Sequence, residues 1–271
     1  MQKPPKITDR KALLRNRERA DLNSGMFLHH AAIEEITDRL KLINRNFSNP
    51  AIVTGFPEIW KTLLPNVQLI EDKEILALEE QSFDLVVHAM ALHWANDPVG
   101  QLIQCKRALK PDGLFMAVGF GGSTLKELRS AITIAEAEVT GGLSPRIAPM
   151  AEVRDIGSLL QRAGFALPVA DSVSLTATYE TPWNLMRDLR NMGEANALEA
   201  RLRKMTLRNV LIRSSELYVE QFMHLDRIPA TFELIFLLGW APHPEQPRPL
   251  RRGSANTRLA DVLNNSKTGQ Q

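Results

Sequence analysis

A histidine and a tryptophan stand side by side at a point where a proton could be transferred. His93 and Trp94 follow the apolar run 83–89, which is typical of a buried parallel strand, so both should lie at the carboxyl end of a sheet. An unperturbed histidine titrates near neutral pH, and His93 could therefore exchange a proton with a substrate; a structural hydrogen bond is the alternative. Trp94 could form a platform for a cofactor, or belong to the core or to a pocket wall.

Two pairs of residues farther along the chain could contact a substrate or a protein partner. Arg187 and Arg190 could clamp an acidic peptide, although a network of surface ion pairs would give the same pattern. Gly121 and Gly122 could leave room for a substrate or simply form a tight turn. Together with Trp94, these four residues form the predicted substrate or partner face.

Alternating strands and helices must position these side chains. Apolar runs predict strands near residues 51–54, 67–71, 83–89, 114–118, 173–177 and 231–238. Helices are predicted near residues 26–45, 98–110, 124–140 and 153–163. Thr124 and Glu127 match a capping box that would open the third of these helices. The alternation indicates an α/β fold with a doubly wound, mostly parallel sheet, and a helical insertion at about 182–226 precedes an antiparallel edge strand.

The chain divides into three predicted parts. A helical segment covers residues 1–47, the α/β domain covers 48–242, and an extended or disordered tail covers 243–271. The basic residues of the first part could suit an organelle transit peptide or an anionic partner. The acids among them favour a solvated helix instead.

The composition bounds the classes of function. A chain of 271 residues with 44% hydrophobic content can bury one α/β core. Its formal net charge of +2 provides no overall field that would attract nucleic acid or an anionic membrane. The single cysteine, Cys105, excludes an internal disulfide and a multi-cysteine zinc site, and no apolar stretch reaches the length of a membrane span. We therefore expect an intracellular, cytoplasmic protein.

Several motifs, considered together, resemble one family. They are residues 72–84, 92–97, 107–113, 121–129, 144–146, 187–190, 192–196 and 229–233. These segments resemble class I S-adenosylmethionine-dependent methyltransferases, nearest to the subgroup of alphaproteobacterial methyltransferase-like proteins that is related to mitochondrial complex I assembly factor 5. The resemblance covers about residues 8–255. It implies a Rossmann-like methyltransferase fold, S-adenosylmethionine as the cofactor if there is one, and a protein substrate or partner.

The resemblance also implies where a cofactor would bind. In such folds the ligand lies outside the carboxyl ends of the parallel strands. Gly55 matches the first glycine of the family's turn, and Asp72 matches an acidic position near the adenine. With His88 they form the implied cofactor-binding set, and His93 is the candidate catalytic residue.

The sequence departs from the family pattern at this turn. Val53 stands where the family has an acid, while Pro57 and Ile59 take the places of two glycines. Pro57 lacks a backbone N–H, and a side chain at position 59 should crowd the space that glycine leaves open. Too few residues separate Gly55 from Asp72 for the usual helix, strand and second helix, since a crossover alone needs at least about 10 to 12. One strand-helix unit is therefore expected to be missing, together with its ribose-binding carboxylate.

Two functions remain open at this point. The first is a methyltransferase, or an enzyme that modifies a protein side chain as the assembly factor is understood to do by hydroxylating an arginine of a complex I subunit. The second is a non-catalytic member, a pseudoenzyme, that kept the fold and binds or assembles a partner. The altered turn and the missing unit favour the second function. In that case the turn at Phe56 and Pro57 should tolerate substitution.

Overall fold

The computed structural model describes residues 6–247, and a six-stranded sheet lies at the centre of this part. The strands are β1 Pro50–Thr54, β2 Gln68–Glu71, β3 Phe83–Ala89, β4 Leu109–Phe120, β5 Ala166–Tyr179 and β6 Ile228–Trp240, in the order β2-β1-β3-β4-β6-β5. The helices are α1 Arg10–Glu18, α2 Phe27–Ile43, α3 Pro57–Trp60, α4 Pro98–Ala108, α5 Lys126–Thr140, α6 Val153–Ala163, α7 Pro182–Asn191 and α8 Arg208–Phe222. A 3₁₀ turn, Leu92–Trp94, follows β3.

The first four strands are parallel, which confirms the predicted doubly wound architecture. β1 lies between β2 and β3, and β3 pairs with β4. Between β1 and β2 the chain forms only the 4-residue helix α3, so one strand-helix unit is missing, as predicted. The strand β2 therefore lies directly beside β1, and the acids at its carboxyl end lie beside the turn that follows β1.

The last strand is antiparallel, but it is not the edge strand that the sequence predicted. β6 pairs with β4 on one side and with β5 on the other, and β5 forms the edge. The burial of the two strands explains the order. Residues along β6 are buried on both faces, which is typical of a central strand, whereas most residues of β5 are half-buried or exposed.

The capping box predicted for α5 is wrong. The residue that precedes the helix is Leu125, which has a left-handed backbone with φ of 55° and makes no side-chain cap. The Thr124 hydroxyl instead accepts a hydrogen bond from the backbone N–H of Glu233 at 3.1 Å. Glu127 accepts one from the backbone N–H of Thr231, also at 3.1 Å. Strand β6 thus takes both side chains away from the helix end.

Two apolar cores hold the layers together, one on each face of the sheet. The first packs α2, α3, α5 and α8 against the sheet through residues such as Leu28, Trp60, Leu128 and Tyr218. The second packs α4 and α6 against the opposite face through Leu102 and Leu160. Helices on both faces leave the carboxyl ends of the parallel strands accessible for a site.

The N-terminal segment is tied to the domain and is not merely a solvated helix. The side-chain oxygen of Asn96 accepts hydrogen bonds from the backbone N–H groups of Ile7 and Thr8 at 2.8 and 2.9 Å. The N–H of Asp9 donates to the carbonyl of Ala197 at 2.8 Å, and the Asp9 side chain caps α1. The basic residue Arg17 of α1 is consequently buried.

Part of the predicted tail cannot be compared with the structure. Residues 248–271 lie outside the described part of the chain. Within residues 6–247, none of the helices has the length and apolar character needed to cross a membrane.

Candidate functional site

Two cavities lie on either side of the turns that end β1 and β3. The first, here called the inner pocket, is defined by Trp94, Phe120, Arg190, Glu194 and Phe232 and has a volume of about 180 Å³. The second, here called the turn cleft, is lined by residues of α1 and of the turns after β1 and β2, and has a volume of about 790 Å³. Pockets for drug-sized ligands measure about 300 to 1,000 Å³, so the turn cleft could take a nucleoside by size, and the inner pocket suits a single side chain.

The inner pocket contains a buried carboxylate with one unused oxygen. Glu194 Oε2 accepts a hydrogen bond from the indole Nε1 of Trp94 at 2.8 Å, and His93 Nε2 lies 3.5 Å from the same oxygen. The other oxygen, Oε1, is buried and has no hydrogen-bond partner among the described residues. The Glu194 side chain is only 6% exposed. Buried polar groups are normally paired, so Glu194 keeps unused hydrogen-bonding capacity beside the inner pocket.

The charge state of Glu194 follows from its neighbours. Burial raises the pKa of this carboxyl, but the hydrogen bond from His93 and the nearby charge of Arg17 outweigh burial, so the pKa lies below its usual range. The pocket therefore presents a negative charge among aromatic walls at neutral pH.

The end of α7 aims Glu194 into the inner pocket. Gly193 follows the helix with φ of 77°, a backbone conformation that favours glycine. The N–H of Glu194 then donates to the carbonyl of Leu189 at 2.9 Å and closes the turn. The sequence prediction missed Glu194, although a glycine followed by an acid after a predicted helix could have indicated it.

The predicted proton-transfer residue, His93, is buried behind the wall of this pocket and does not line it. His93 packs between the rings of Trp94 and Phe120, with ring centres 5.6 and 4.8 Å away. Its Nδ1 is buried and has no partner among the described residues. His93 and Trp94 are thus brought together with Glu194, and Trp94 serves as a pocket wall.

In the turn cleft, the cofactor candidates Gly55 and Asp72 face an arginine of the same chain. Arg17 Nη1 donates to Asp72 Oδ1 at 2.7 Å, and Arg10 contacts the other oxygen at 3.2 Å. Burial raises the pKa of Asp72, but the charges and hydrogen bonds of Arg17 and Arg10 hold it below its usual range. A methyl group built on Gly55 would lie 2.7 Å from Nε of Arg17 and closer still to the rest of the guanidinium.

These residues do not fit S-adenosylmethionine as they are arranged. The Arg17 guanidinium lies in the space beside Gly55 through which a cofactor would approach the backbone. The Asp72 carboxylate is already paired with Arg17 and Arg10. The expectation that Ile59 would crowd the turn is wrong, because Ile59 and Trp60 pack into the core below it. The volume of the turn cleft is large enough for the cofactor, but the contacts of Arg17 with Gly55 and Asp72 oppose its binding.

His88 does not reach the cleft at all. It is fully buried within β3, and its Nε2 lies 2.7 Å from the side-chain oxygen of Gln101. Burial lowers its pKa to about 4, so it is a neutral core residue, and its assignment to a cofactor site is wrong.

The other residues of the predicted face separate from one another. Gly121 and Gly122 begin a turn in which the N–H of Thr124 donates to the carbonyl of Gly121 at 3.0 Å, and the side chains of Glu233 and Glu152 lie beside them. Arg190 lines the inner pocket. Arg187 is exposed on α7 and makes no ion pair with the residues that the structure describes.

The chain was compared with known proteins. A family model described as "Methyltransferase domain" matches residues 29–117. "Arginine-hydroxylase NDUFAF5, mitochondrial" of Dictyostelium discoideum is 42% identical over 205 residues, which cover 75% of this chain and 47% of that protein. "Malonyl-[acyl-carrier protein] O-methyltransferase" of Nitrosospira multiformis is 38% identical over 173 residues, which cover 64% of this chain and 54% of that protein.

Among solved structures, the YcgJ protein of Bacillus subtilis is 12% identical, with a TM-score of 0.48, and the match covers 79% of this chain and 99% of that one. The chain spans about half the length of the two curated relatives. The family model and the relatives support a relationship of this chain to class I S-adenosylmethionine methyltransferases and to complex I assembly factor 5.

Proposed function

We propose that this chain binds an arginine-bearing segment of a protein partner, with the arginine side chain in the inner pocket. The observation that carries the proposal is the buried, ionised Glu194 in the lining of the inner pocket, which forms no salt bridge with an arginine or lysine of the described residues. A carboxylate in an apolar pocket is strongly stabilised by a guanidinium, which is always charged and donates several hydrogen bonds.

The walls of the pocket support a guanidinium more than a lysine ammonium. Trp94, Phe120 and Phe232 surround the space in front of Glu194. A planar guanidinium stacks on aromatic faces and is less strongly hydrated than an ammonium, so it loses less on entering such a pocket. The relatives in the assembly-factor group carry the name arginine-hydroxylase, which agrees with an arginine as the group that is bound.

The rim of the pocket suggests one further feature of the partner. Arg190 is exposed on α7 and lines the pocket, whereas Arg146 is already paired with Glu136. Arg190 forms no salt bridge with the described residues, so it would favour an acidic residue next to the arginine that enters. The bound segment should therefore carry both charges.

In this proposal the protein acts as a partner-binding or assembly protein whose cofactor cleft has degenerated. The position of Arg17 in the lining of the turn cleft supports this role, since a cofactor that approached Gly55 and Asp72 would have to displace it. A second candidate function is modification of the bound arginine, which the name arginine-hydroxylase of the Dictyostelium relative favours. The cytoplasmic location stays a prediction, and the name of the Dictyostelium relative places that protein in mitochondria.

The proposal is tested with a labelled peptide that carries one arginine beside a glutamate, and with its citrulline counterpart. Binding of the arginine peptide, measured by fluorescence anisotropy, should exceed that of the citrulline peptide. Glu194→Gln should weaken it about tenfold or more, because a hydrogen bond to a charged group contributes about 1.5 to 3 kcal/mol and about 1.4 kcal/mol is tenfold. Glu180→Gln, which changes an exposed carboxylate before α7, is the control.

Equal binding of the two peptides, or no loss in Glu194→Gln, would rule the proposal out. Mass spectrometry of the peptide separates the two roles after incubation with the protein and S-adenosylmethionine as methyl donor, and separately with O₂ and a reductant as the source of an oxygen atom. An unchanged mass is expected for a binding protein. A gain of one oxygen atom or one methyl group would establish the modifying enzyme instead.

A further inference from the structure

The side chain of Arg17 has an unusual position for a residue of a surface helix. It belongs to α1, yet its side chain is only 5% exposed. Its guanidinium lies against the backbone of Gly55, and its central carbon is 5.7 Å from the centre of the Phe56 ring. A side chain at position 55 would overlap the guanidinium in its present position, so Arg17 would have to move.

The surroundings of Arg17 form a seat for a guanidinium. The guanidinium lies beside Gly55 and near the ring of Phe56, and it donates a 2.7 Å hydrogen bond to the carboxylate of Asp72. The Asp72 side chain is 5% exposed, so the pair is shielded from solvent. Removal of Asp72 would leave the buried charge of Arg17 without this partner, which is unfavourable, whereas removal of Arg17 would leave Asp72 paired with Arg10.

We infer that Arg17 is an internal occupant of the cofactor position, so that Gly55 and Asp72 serve an arginine of the same chain and the turn cleft is closed to nucleoside cofactors. This inference rests on the proposed function's degenerate cofactor cleft and deepens it, and it is independent of arginine binding in the inner pocket. A ligand that approached Gly55 and paired with Asp72 would need the volume and the hydrogen bonds that Arg17 already uses.

The arrangement also explains why the glycine is kept in a turn that has otherwise lost the family pattern. The neighbouring positions hold Phe56 and Pro57, and neither offers the small size that a glycine-rich turn provides. Gly55 remains necessary for the seat of Arg17. On this account, the glycine is a structural residue in this chain.

The inference is tested first by stability measurements without any ligand. Arg17→Ala should lower the Tm by several degrees, and the ethylguanidinium ion should restore part of the loss by filling the empty seat. The ethylammonium ion should not. Arg15→Ala, which removes an exposed arginine of the same helix, should leave the Tm unchanged.

A double-mutant cycle then checks that Gly55 and Arg17 act together. Gly55→Ala should be strongly destabilising in the natural chain, because the new methyl group displaces Arg17. In the Arg17→Ala background the same change should cost far less, and this non-additivity is the sign of direct contact. Additive effects, or no rescue by ethylguanidinium, would overturn the inference. If Arg17→Ala does not fold, Gly55→Ala alone is tested. Its Tm and its binding of S-adenosylmethionine are then measured separately.

Titration calorimetry with S-adenosylmethionine completes the test. We expect no measurable binding of S-adenosylmethionine by the natural chain. Arg17→Ala should bind it at least tenfold more tightly than the weakest affinity that the measurement detects. Equal affinities overturn the inference. So does tight binding that Arg17→Ala abolishes, since Arg17 would then be a ligand of the cofactor. Loss of peptide binding in the inner pocket would leave these results unchanged, so the failures of the two proposals can be distinguished.

Discussion

At the scale of single residues, the site is a cluster of buried polar groups beneath the turns that end β1 and β3. Besides Arg17 and Glu194 it contains three histidines, His29, His88 and His93, each with a ring nitrogen that has no partner among the described residues. The Nδ1 of His29 accepts a hydrogen bond from the indole of Trp60 at 2.9 Å. Burial lowers the pKa of His29 and of His88 to about 4. Two histidines in this cluster are therefore neutral and fix its hydrogen bonds.

The two neutral histidines predict how stability depends on pH. Between about pH 4 and 6.5 they are neutral in the fold and protonated in the unfolded chain, so the unfolded state binds more protons. The free energy of unfolding should thus fall as pH falls through this window, by up to about 1.4 kcal/mol per pH unit for each histidine.

Urea unfolding at several pH values would measure this slope. His29→Gln should reduce the slope by about one histidine's share. His30→Gln, which changes the exposed neighbour, should leave the slope as it is. An unchanged slope in His29→Gln would show that His29 is protonated in the fold.

At the scale of elements, strands were predictable because a buried parallel strand is marked by its own residues. The run 83–89 matches β3 residue for residue, and Gly164 ends α6 as expected. The contents of the site were not predictable in this way. Arg17 is an arginine in a basic helix, and only the tertiary contact with Asp72 distinguishes it from its neighbours. Glu194 likewise depends on the turn after α7, which brings it to Trp94, about a hundred residues away in sequence.

The turn after β1 also differs from the sequence prediction, which expected both of its residues to tolerate substitution. Phe56 is 5% exposed and packs edge-on against His29, with ring centres 4.9 Å apart. Phe56→Ala should therefore destabilise the fold by about 3 to 5 kcal/mol. Pro57 is exposed at the first position of α3, and Pro57→Ala should change stability by no more than about 0.5 kcal/mol. Denaturant unfolding of the two single variants checks both values, and equal stabilities would contradict the assignment of Phe56 to the core.

At the scale of the whole molecule, the N-terminal segment and the helical insertion close over the carboxyl edge of the sheet as one layer. Thr8 forms a β-bridge with Leu198, and the N–H of Glu199 donates to the carbonyl of Ile7 at 2.8 Å. The insertion supplies Glu194 to the inner pocket, and α1 supplies Arg17 to the turn cleft. The two cavities therefore depend on one shared contact.

Asp9 is the residue at which this contact can be tested. It caps α1 and pairs with Arg201 at 2.9 Å and with Arg203 at 3.2 Å. Hydrogen bonds to the backbone of Ala12 and to Arg201 lower its pKa to about 2, so it remains charged in all ordinary buffers. Asp9→Ala should lose about 1 kcal/mol from the cap and about 0.2 to 1 kcal/mol from each ion pair.

Hydrogen exchange should show that the effect of Asp9→Ala reaches both partners of the contact. Amides of α1 and of residues 195–203 should exchange faster together, because each segment holds the other in place, while amides of β3 and β4 should keep their protection. Glu18→Ala, at the exposed end of the same helix, is the control and should leave residues 195–203 unaffected. Faster exchange confined to α1 would show that the insertion is held by the sheet alone, and the two cavities would then be independent.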